Sequence, residues 1–252
     1  MSRRATASKR ANYGIDAPAV LRNLLVCGGS AIALGSLIYA LRDKLPRNLS
    51  TSLANTGWWA GGSLVLTALV MLWGSRVGKL RLRDKLLGSF AWRGDERVLD
   101  VGCGHGLMLI GAARRLTTGK AVGVDIWQKE DQAGNSMEAT LDNAIAEGVA
   151  ERVELKDGDA RQLPFANDTF DAIVSSWALH NIYDAKERER AVSEIARVLK
   201  PGGRVLIVDI KHTNEYARVL RESGLVDVER HGPSLLFVTP THWLTAVKTH
   251  AP

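Results

Sequence analysis

A chain of 252 residues, 46% hydrophobic and 24% charged, is long enough for one or two folded domains, and its formal charge of +6 is unevenly spread. Residues 1–90 hold 13 Lys/Arg against 3 Asp/Glu, a net of +10, whereas residues 91–252 hold 20 against 24, a net of −4. A uniformly basic chain would suit nucleic acid; an acidic C-terminal part behind a basic, apolar leader points to a membrane surface instead.

In chain order, residues 1–22 form a basic tail, with Arg3, Arg4, Lys9, Arg10 and Arg22. Residues 23–75 are expected to form a two-helix membrane anchor. No charge falls between Arg22 and Arg42, nor between Arg47 and Arg76. The apolar stretch Leu24–Leu41 spans about 27 Å as a helix, close to the hydrocarbon thickness. Trp58, Trp59 and Trp73 bracket the second stretch, where interfacial indoles belong. Gly57 and Gly61, with Ala31 and Gly35, supply small residues at four-residue spacing for close helix packing. A buried soluble hairpin is the alternative. The flanking basic residues outnumber those of the intervening loop, which favours both termini and the C-terminal domain on the cytoplasmic side. No small-x-small site follows the first run, which argues against a cleaved signal peptide. The basic start could also be read as an organelle presequence. Residues 76–92 form a linker or lid helix, with Leu82, Leu86, Leu87 and Phe90 at helical spacing.

From residue 93 to 252, apolar runs alternate with helical stretches, the pattern of an α/β domain with a parallel sheet. Strands are expected near 97–101, 120–125, 152–156, 170–175, 203–209, 225–231 and 235–247. Helices are expected near 106–116, 134–147, 185–199 and 213–223, the third stopped by Lys200-Pro-Gly-Gly203. The most telling stretch is Val98-Leu-Asp-Val-Gly-Cys-Gly-His-Gly106, a strand running into alternating glycines. Glycine has no Cβ, so this turn lets backbone approach a ligand closely. The dinucleotide fingerprint G-x-G-x-x-G would need its third glycine at position 107, which is Leu107.

The D-x-G-x-G-x-G pattern at Asp100, Gly102, Gly104 and Gly106 resembles the nucleotide site of class I S-adenosylmethionine (SAM) methyltransferases, a resemblance extending from about Asp84 to Lys248. Leu163-Pro-Phe and Phe170-Asp, followed by Leu199-Lys-Pro-Gly-Gly203, resemble the branch that includes quinone-biosynthesis enzymes. The resemblance implies a Rossmann-like sheet of order 3-2-1-4-5-7-6 with the last strand antiparallel. It implies SAM as cofactor and S-adenosylhomocysteine as product; no His/Cys/Asp cluster has zinc or iron spacing, so no metal is expected. It further implies that Gly102, Cys103, Gly104 and Gly106 line the cofactor and that Asp100 orders the loop and reaches the methionine ammonium. Asp125 would take the ribose hydroxyls, Ile126 and Trp127 the adenine face, and Asp159 with Ala160 the adenine edge (Asp157 as fallback). Ser176 and Trp177 would complete the cofactor contacts.

Methyl transfer from a sulfonium needs chiefly an aligned acceptor and excluded water; a base is needed only where the nucleophile still holds its proton. His180, just past the fourth strand, is the candidate, because imidazole titrates near neutrality. Tyr183, Asp209 and His212 are further candidates for acceptor contact, as are Glu130 and Asp131 in a polar insertion. Ser176-Trp-Ala-Leu179 lacks the proline pair of amino-methyltransferases acting on nucleic-acid bases, so no nucleic-acid partner is expected. The two cysteines, Cys27 and Cys103, have no metal-ligand spacing, give no disulfide framework and lack the set expected for arsenite. The expectation is a membrane-anchored SAM methyltransferase acting on a small, apolar acceptor such as a quinone precursor, lipid, phenol or thiol. The alternatives are a non-catalytic SAM-binding scaffold and a methyltransferase for a membrane-associated protein. The oligomeric state is not legible.

Overall fold

The computed structural model describes residues 11–127, 135–237 and 239–249. By internal contacts the chain divides into two units, residues 15–79 and residues 1–14 with 80–252.

In the first unit, α1 (Pro18–Ala40) and α2 (Arg47–Trp73) form a hairpin joined by a short 3-10 turn at Arg42–Lys44. Small residues make their seam. A Cβ on Gly57 would lie 2.7 Å from the Ala31 carbonyl oxygen, and one on Gly35 would lie 2.8 Å from that of Ala54. Such clearances bring backbones together, as the G-x-x-x-G spacing requires. Gly28, which the spacing argument did not single out, meets Gly61 in the same way. Trp58 donates its indole N–H to Ser36 at 3.0 Å. The outward faces stay apolar and exposed, with Leu25, Val26, Leu34, Leu37, Leu53, Leu66 and Leu69 uncovered. Both helices are long and apolar enough to cross a bilayer.

The second unit is a Rossmann-like α/β fold with a seven-stranded mixed sheet in the order β3-β2-β1-β4-β5-β7-β6. The strands are β1 (Arg97–Val101), β2 (Lys120–Asp125), β3 (Val153–Asp157), β4 (Phe170–Ser176), β5 (Leu199–Asp209), β6 (Leu225–Ser234) and β7 (Thr241–Lys248). The first five are parallel and β7 is antiparallel to both β5 and β6. Parallel strands are covered on both faces, which is why β1, β2, β4 and β5 read as near-continuous apolar runs. One face carries α6 (Ala185–Val198) and α7 (Thr213–Glu222), whose Val192, Ile195, Tyr216 and Leu220 pack on Leu99, Ile173 and Ile207. The other carries α3 (Lys79–Gly88), α4 (Leu107–Ala113) and α5 (Met137–Ala146). Met108, Leu109 and Ala144 meet Val98, Val174 and Leu206 there.

Three expectations are corrected. The helix expected as a linker or lid is core: Leu82, Leu86 and Leu87 of α3 are at most 4% exposed and pack with Val98 and Leu206. Its four-residue leucine spacing describes a buried face as well as a lid. Lys200-Pro-Gly-Gly203 does not separate α6 from β5, since the strand already starts at Leu199. The stretch is absorbed in a bulge, where Phe170 pairs with Leu199 but Ala172 with Arg204. The last strand starts at Thr241, and residues 235–237, 239 and 240 before it are not in a strand.

Candidate active site

The carboxyl ends of β1, β2 and β4 converge where the strand order reverses, the customary ligand crevice of open α/β sheets. Gly102, Gly104 and Gly106 all have positive φ, at 70°, 49° and 82°. At Gly102 a Cβ would also run into the Ala178 side chain. The loop hangs from β2 because the Gly102 N–H donates to the Val124 carbonyl at 2.8 Å and the Gly104 N–H to Asp125 Oδ2 at 2.8 Å. From the other side α5 grips two successive carbonyls: Thr140 donates its hydroxyl to Gly104 O, and Asn143 its amide to His105 O at 3.0 Å. Sequence reasoning missed Thr140 and Asn143. Their only signal was two polar residues one turn apart on the buried face of a helix.

Asp100 is 1% exposed at the end of β1. Its Oδ2 accepts the Leu109 N–H of α4 at 2.8 Å, and its Oδ1 is buried with no hydrogen-bond partner among the described residues. Burial first, opposed by that N–H and aided by nearby Asp125, pushes the carboxyl pKa up to about 8. An acid in that state can accept a cationic group, which would satisfy Oδ1 and draw the proton off. Burial likewise holds the Cys103 thiol protonated, with Asp100 and Asp125 adding to the effect, so it is no nucleophile.

Asp125 does more for the loop than the sequence implied. Its Oδ1 accepts the Trp127 N–H at 2.7 Å and an Asn135 amide N–H at 3.3 Å, while Oδ2 holds Gly104. Each carboxylate oxygen can accept two hydrogen bonds, so Oδ2 keeps room for one hydroxyl and a second would have to replace Asn135. Trp127, at φ 56°, packs on the sheet with its indole nitrogen buried and unpartnered among the described residues. Ile126 is half exposed beside it. Asp157 lies opposite Asp125 in the β2–β3 pairing. Just beyond, Asp159 accepts the Arg161 N–H and its Nε–H, both at 2.9 Å. Hydrogen bonding to Arg161 holds this carboxyl below the usual range, against partial burial. Ala160 packs against the α6 side of the core. Asp100 Oδ1, the Trp127 indole nitrogen and the left-handed loop are the features an adenosyl amino acid would fit.

At β4 and β5 the fold joins two candidates that the sequence kept apart. Asp209 is fully buried. His180 Nδ1 lies 2.6 Å from Asp209 Oδ1, a short contact not aligned as a hydrogen bond, and the His180 backbone N–H donates to Oδ2 at 3.1 Å. The Ile210 N–H at 2.7 Å and the Tyr216 hydroxyl at 3.4 Å also donate to Asp209. Burial, with Asp209 adjacent, drives the Tyr216 hydroxyl far above its usual range, so it remains a donor. Ser176 is half-buried at the end of β4, and its neighbour Ser175 donates to the Val101 carbonyl at 2.8 Å. Trp177, at φ 49°, packs against Phe237 of the β6–β7 loop, ring centroids 4.8 Å apart and planes tilted by 38°. Phe237 went unremarked because the segment read as strand. His212 faces Glu215, Nδ1 to Oε2 at 3.6 Å, and Tyr183 is 93% exposed, so neither joins the pair. Glu130 and Asp131 lie outside the described residues. No cluster of metal-ligating side chains occurs among the described residues.

Residues 99–207 match a family model described as a methyltransferase domain. That stretch, which contains the glycine loop, is therefore similar to methyltransferase domains. The chain is 32% identical over 172 residues to methyltransferase GfsG of Streptomyces halstedii, covering 68% of this chain and 56% of that protein. It is 34% identical to the 27-O-demethylrifamycin SV methyltransferase of Amycolatopsis mediterranei, covering 51% and 44%. A demethylmenaquinone methyltransferase of Symbiobacterium thermophilum is 35% identical, with 52% and 48% covered. The chain thus spans about half the length of the curated relatives it matches. Among solved structures, the cyclase SpnF superposes with a TM-score of 0.56 at 21% identity, covering 68% of this chain and 82% of that one. A phosphoethanolamine N-methyltransferase of Haemonchus contortus, in complex with SAM, gives 0.53 at 18%, covering 69% and 53%. These two likenesses speak to the fold, and a fold that carries both a cyclase and a methyltransferase leaves the reaction to be argued from the site.

Proposed function

We propose that this chain is a membrane-anchored methyltransferase that transfers a methyl group from SAM to a small apolar acceptor bearing an ionisable hydroxyl or comparable acidic group. The observation that carries the reading is the His180–Asp209 pair beside the glycine loop. When bound, SAM supplies an activated methyl with a neutral leaving group. The chain's own work is to bind, align and deprotonate. Asp125 and the left-handed glycines would hold the adenosyl end, and Asp100 would meet the ammonium. Asp209, buried and accepting from two backbone N–H groups and Tyr216, would orient the His180 ring through its 2.6 Å contact with Nδ1. Nε2 then takes the acceptor's proton. Trp177 and Phe237 give the acceptor an apolar wall and exclude water.

The quinone and rifamycin methyltransferases among the relatives support a small-molecule acceptor. The exposed apolar faces of α1 and α2 and their small-residue seam support two membrane spans. The basic flanks favour both termini on the cytoplasmic side. The membrane would bring a lipophilic acceptor to the enzyme; no nucleic acid is needed.

The test is transfer of label from methyl-labelled SAM by the full-length protein into a lipid and metabolite extract. Label in small molecules, lost in His180→Gln, supports the reading. Label in protein bands would favour a protein acceptor. Binding of S-adenosylhomocysteine without transfer would favour a scaffold.

A further inference from the structure

The chain up to Gly14, four residues before α1 begins, belongs to the α/β unit and not to the hairpin. Asn12 is clasped by Asn143 of α5: the Asn12 N–H donates to Asn143 Oδ1 at 2.7 Å, and Asn143 Nδ2 donates to the Asn12 carbonyl at 2.9 Å. The same Nδ2 donates to the His105 carbonyl at 3.0 Å, inside the glycine loop. Tyr13 is 7% exposed; its hydroxyl donates to Glu147 at 3.4 Å, and the Arg83 guanidinium of α3 lies over its ring. Two residues of the N-terminal segment are therefore built into the face that supports the loop.

We propose that Asn12 and Tyr13 are positioning residues for the cofactor loop, so that docking of the segment leading into the first span sets cofactor affinity. A side-chain amide has two N–H donors and one carbonyl. Asn143 is 5% exposed and uses both ends on partners far apart in sequence. Releasing the segment would leave a buried Oδ1 and an N–H unsatisfied, which is costly enough to turn the amide. The His105 carbonyl would then lose its donor and the neighbouring Gly104 and Gly106 their fixed geometry. Thr140, bonded to Gly104 O, would be left as the α5 tether to the loop. The segment's effect is therefore exerted through Asn143 and not by contact with the reacting atoms. The affinity part of this proposal rests on the loop binding an adenosyl cofactor, as proposed above; the bracing part does not.

Two full-length variants in detergent micelles test it: Asn12→Pro, which removes the N–H donor to Asn143, and Tyr13→Ala, with Tyr13→Phe as the conservative control. The readouts are the Kd for S-adenosylhomocysteine and the amide hydrogen exchange of residues 102–106 against residues 205–208 in β5. Loss of one buried hydrogen-bonded link should raise Kd about ten-fold. Loop amides should exchange faster by a similar factor, with β5 unchanged and Tyr13→Phe near wild type. Wild-type loop exchange and Kd in both variants would overturn the proposal, as would β5 amides accelerating in step with the loop, which marks general loosening. A wild-type protein that does not bind S-adenosylhomocysteine overturns the affinity part together with the cofactor reading. Faster loop exchange alone would in that case still uphold the brace.

Discussion

Asp100→Asn separates what the buried acid does for the fold from what it does for the ligand. The folded carboxyl titrates near 8, against an ordinary value of 3.8. Between those values the unfolded chain has released its proton while the folded chain retains it. Stability therefore falls with rising pH across this window, and is flat below 3.8 and above about 8. Each pH unit inside the window is worth about 1.4 kcal/mol, so by pH 7 the acid destabilises the ligand-free fold by about 4 kcal/mol relative to its fully protonated form. Asparagine has the same shape, can still accept the Leu109 N–H and does not titrate. The variant should match wild type near pH 4 and exceed it increasingly towards pH 8. Urea denaturation of the ligand-free protein at unit pH steps reads this directly. Adding S-adenosylhomocysteine should reverse the ranking, because a ligand stabilises by its affinity and the variant has no carboxylate for the ammonium. Superimposable pH profiles for the two proteins would mean that Asp100 is ionised in the fold, and the desolvated-acid account would fall.

Three further outcomes are expected. Asp125→Ala removes the acceptor for Gly104 and Trp127 N–H groups as well as for ribose, so S-adenosylhomocysteine should bind at least ten-fold more weakly by calorimetry, a charge-assisted bond being worth about 1.5–3 kcal/mol; unchanged affinity removes Asp125 from the site. His180→Gln should lower kcat by about 10² to 10⁴ without changing cofactor affinity; a kcat within two-fold of wild type would exclude it as the base. Gly57→Leu forces a side chain into the Ala31 carbonyl, so the hairpin should lose about 1–3 kcal/mol in detergent melting while S-adenosylhomocysteine binding persists.

Local chemistry was readable wherever it lay along one strand or one turn. The alternation of apolar runs gave seven strands, and the sheet order followed from the resemblance carried by Asp100 to Gly106. The small-residue spacing of the hairpin was legible because packing distance depends on the two facing side chains alone. Helical spacing could not tell α3 as core from α3 as lid, since the same leucine stripe buries against any apolar partner.

The amino-acid order by itself determined the glycine bend, the acids at the ends of β1 and β2 and the two charge-free stretches of the hairpin, because these depend on neighbours a few positions apart. Only the tertiary structure decided that His180 meets Asp209, that Trp177 meets Phe237 and that Asn143 joins Asn12 to His105. Those partners are supplied by crossover connections that lay β4 against β5, and by the return of the N-terminal segment to α5. Periodicity records which face of an element is buried; what it is buried against is settled when the sheet assembles.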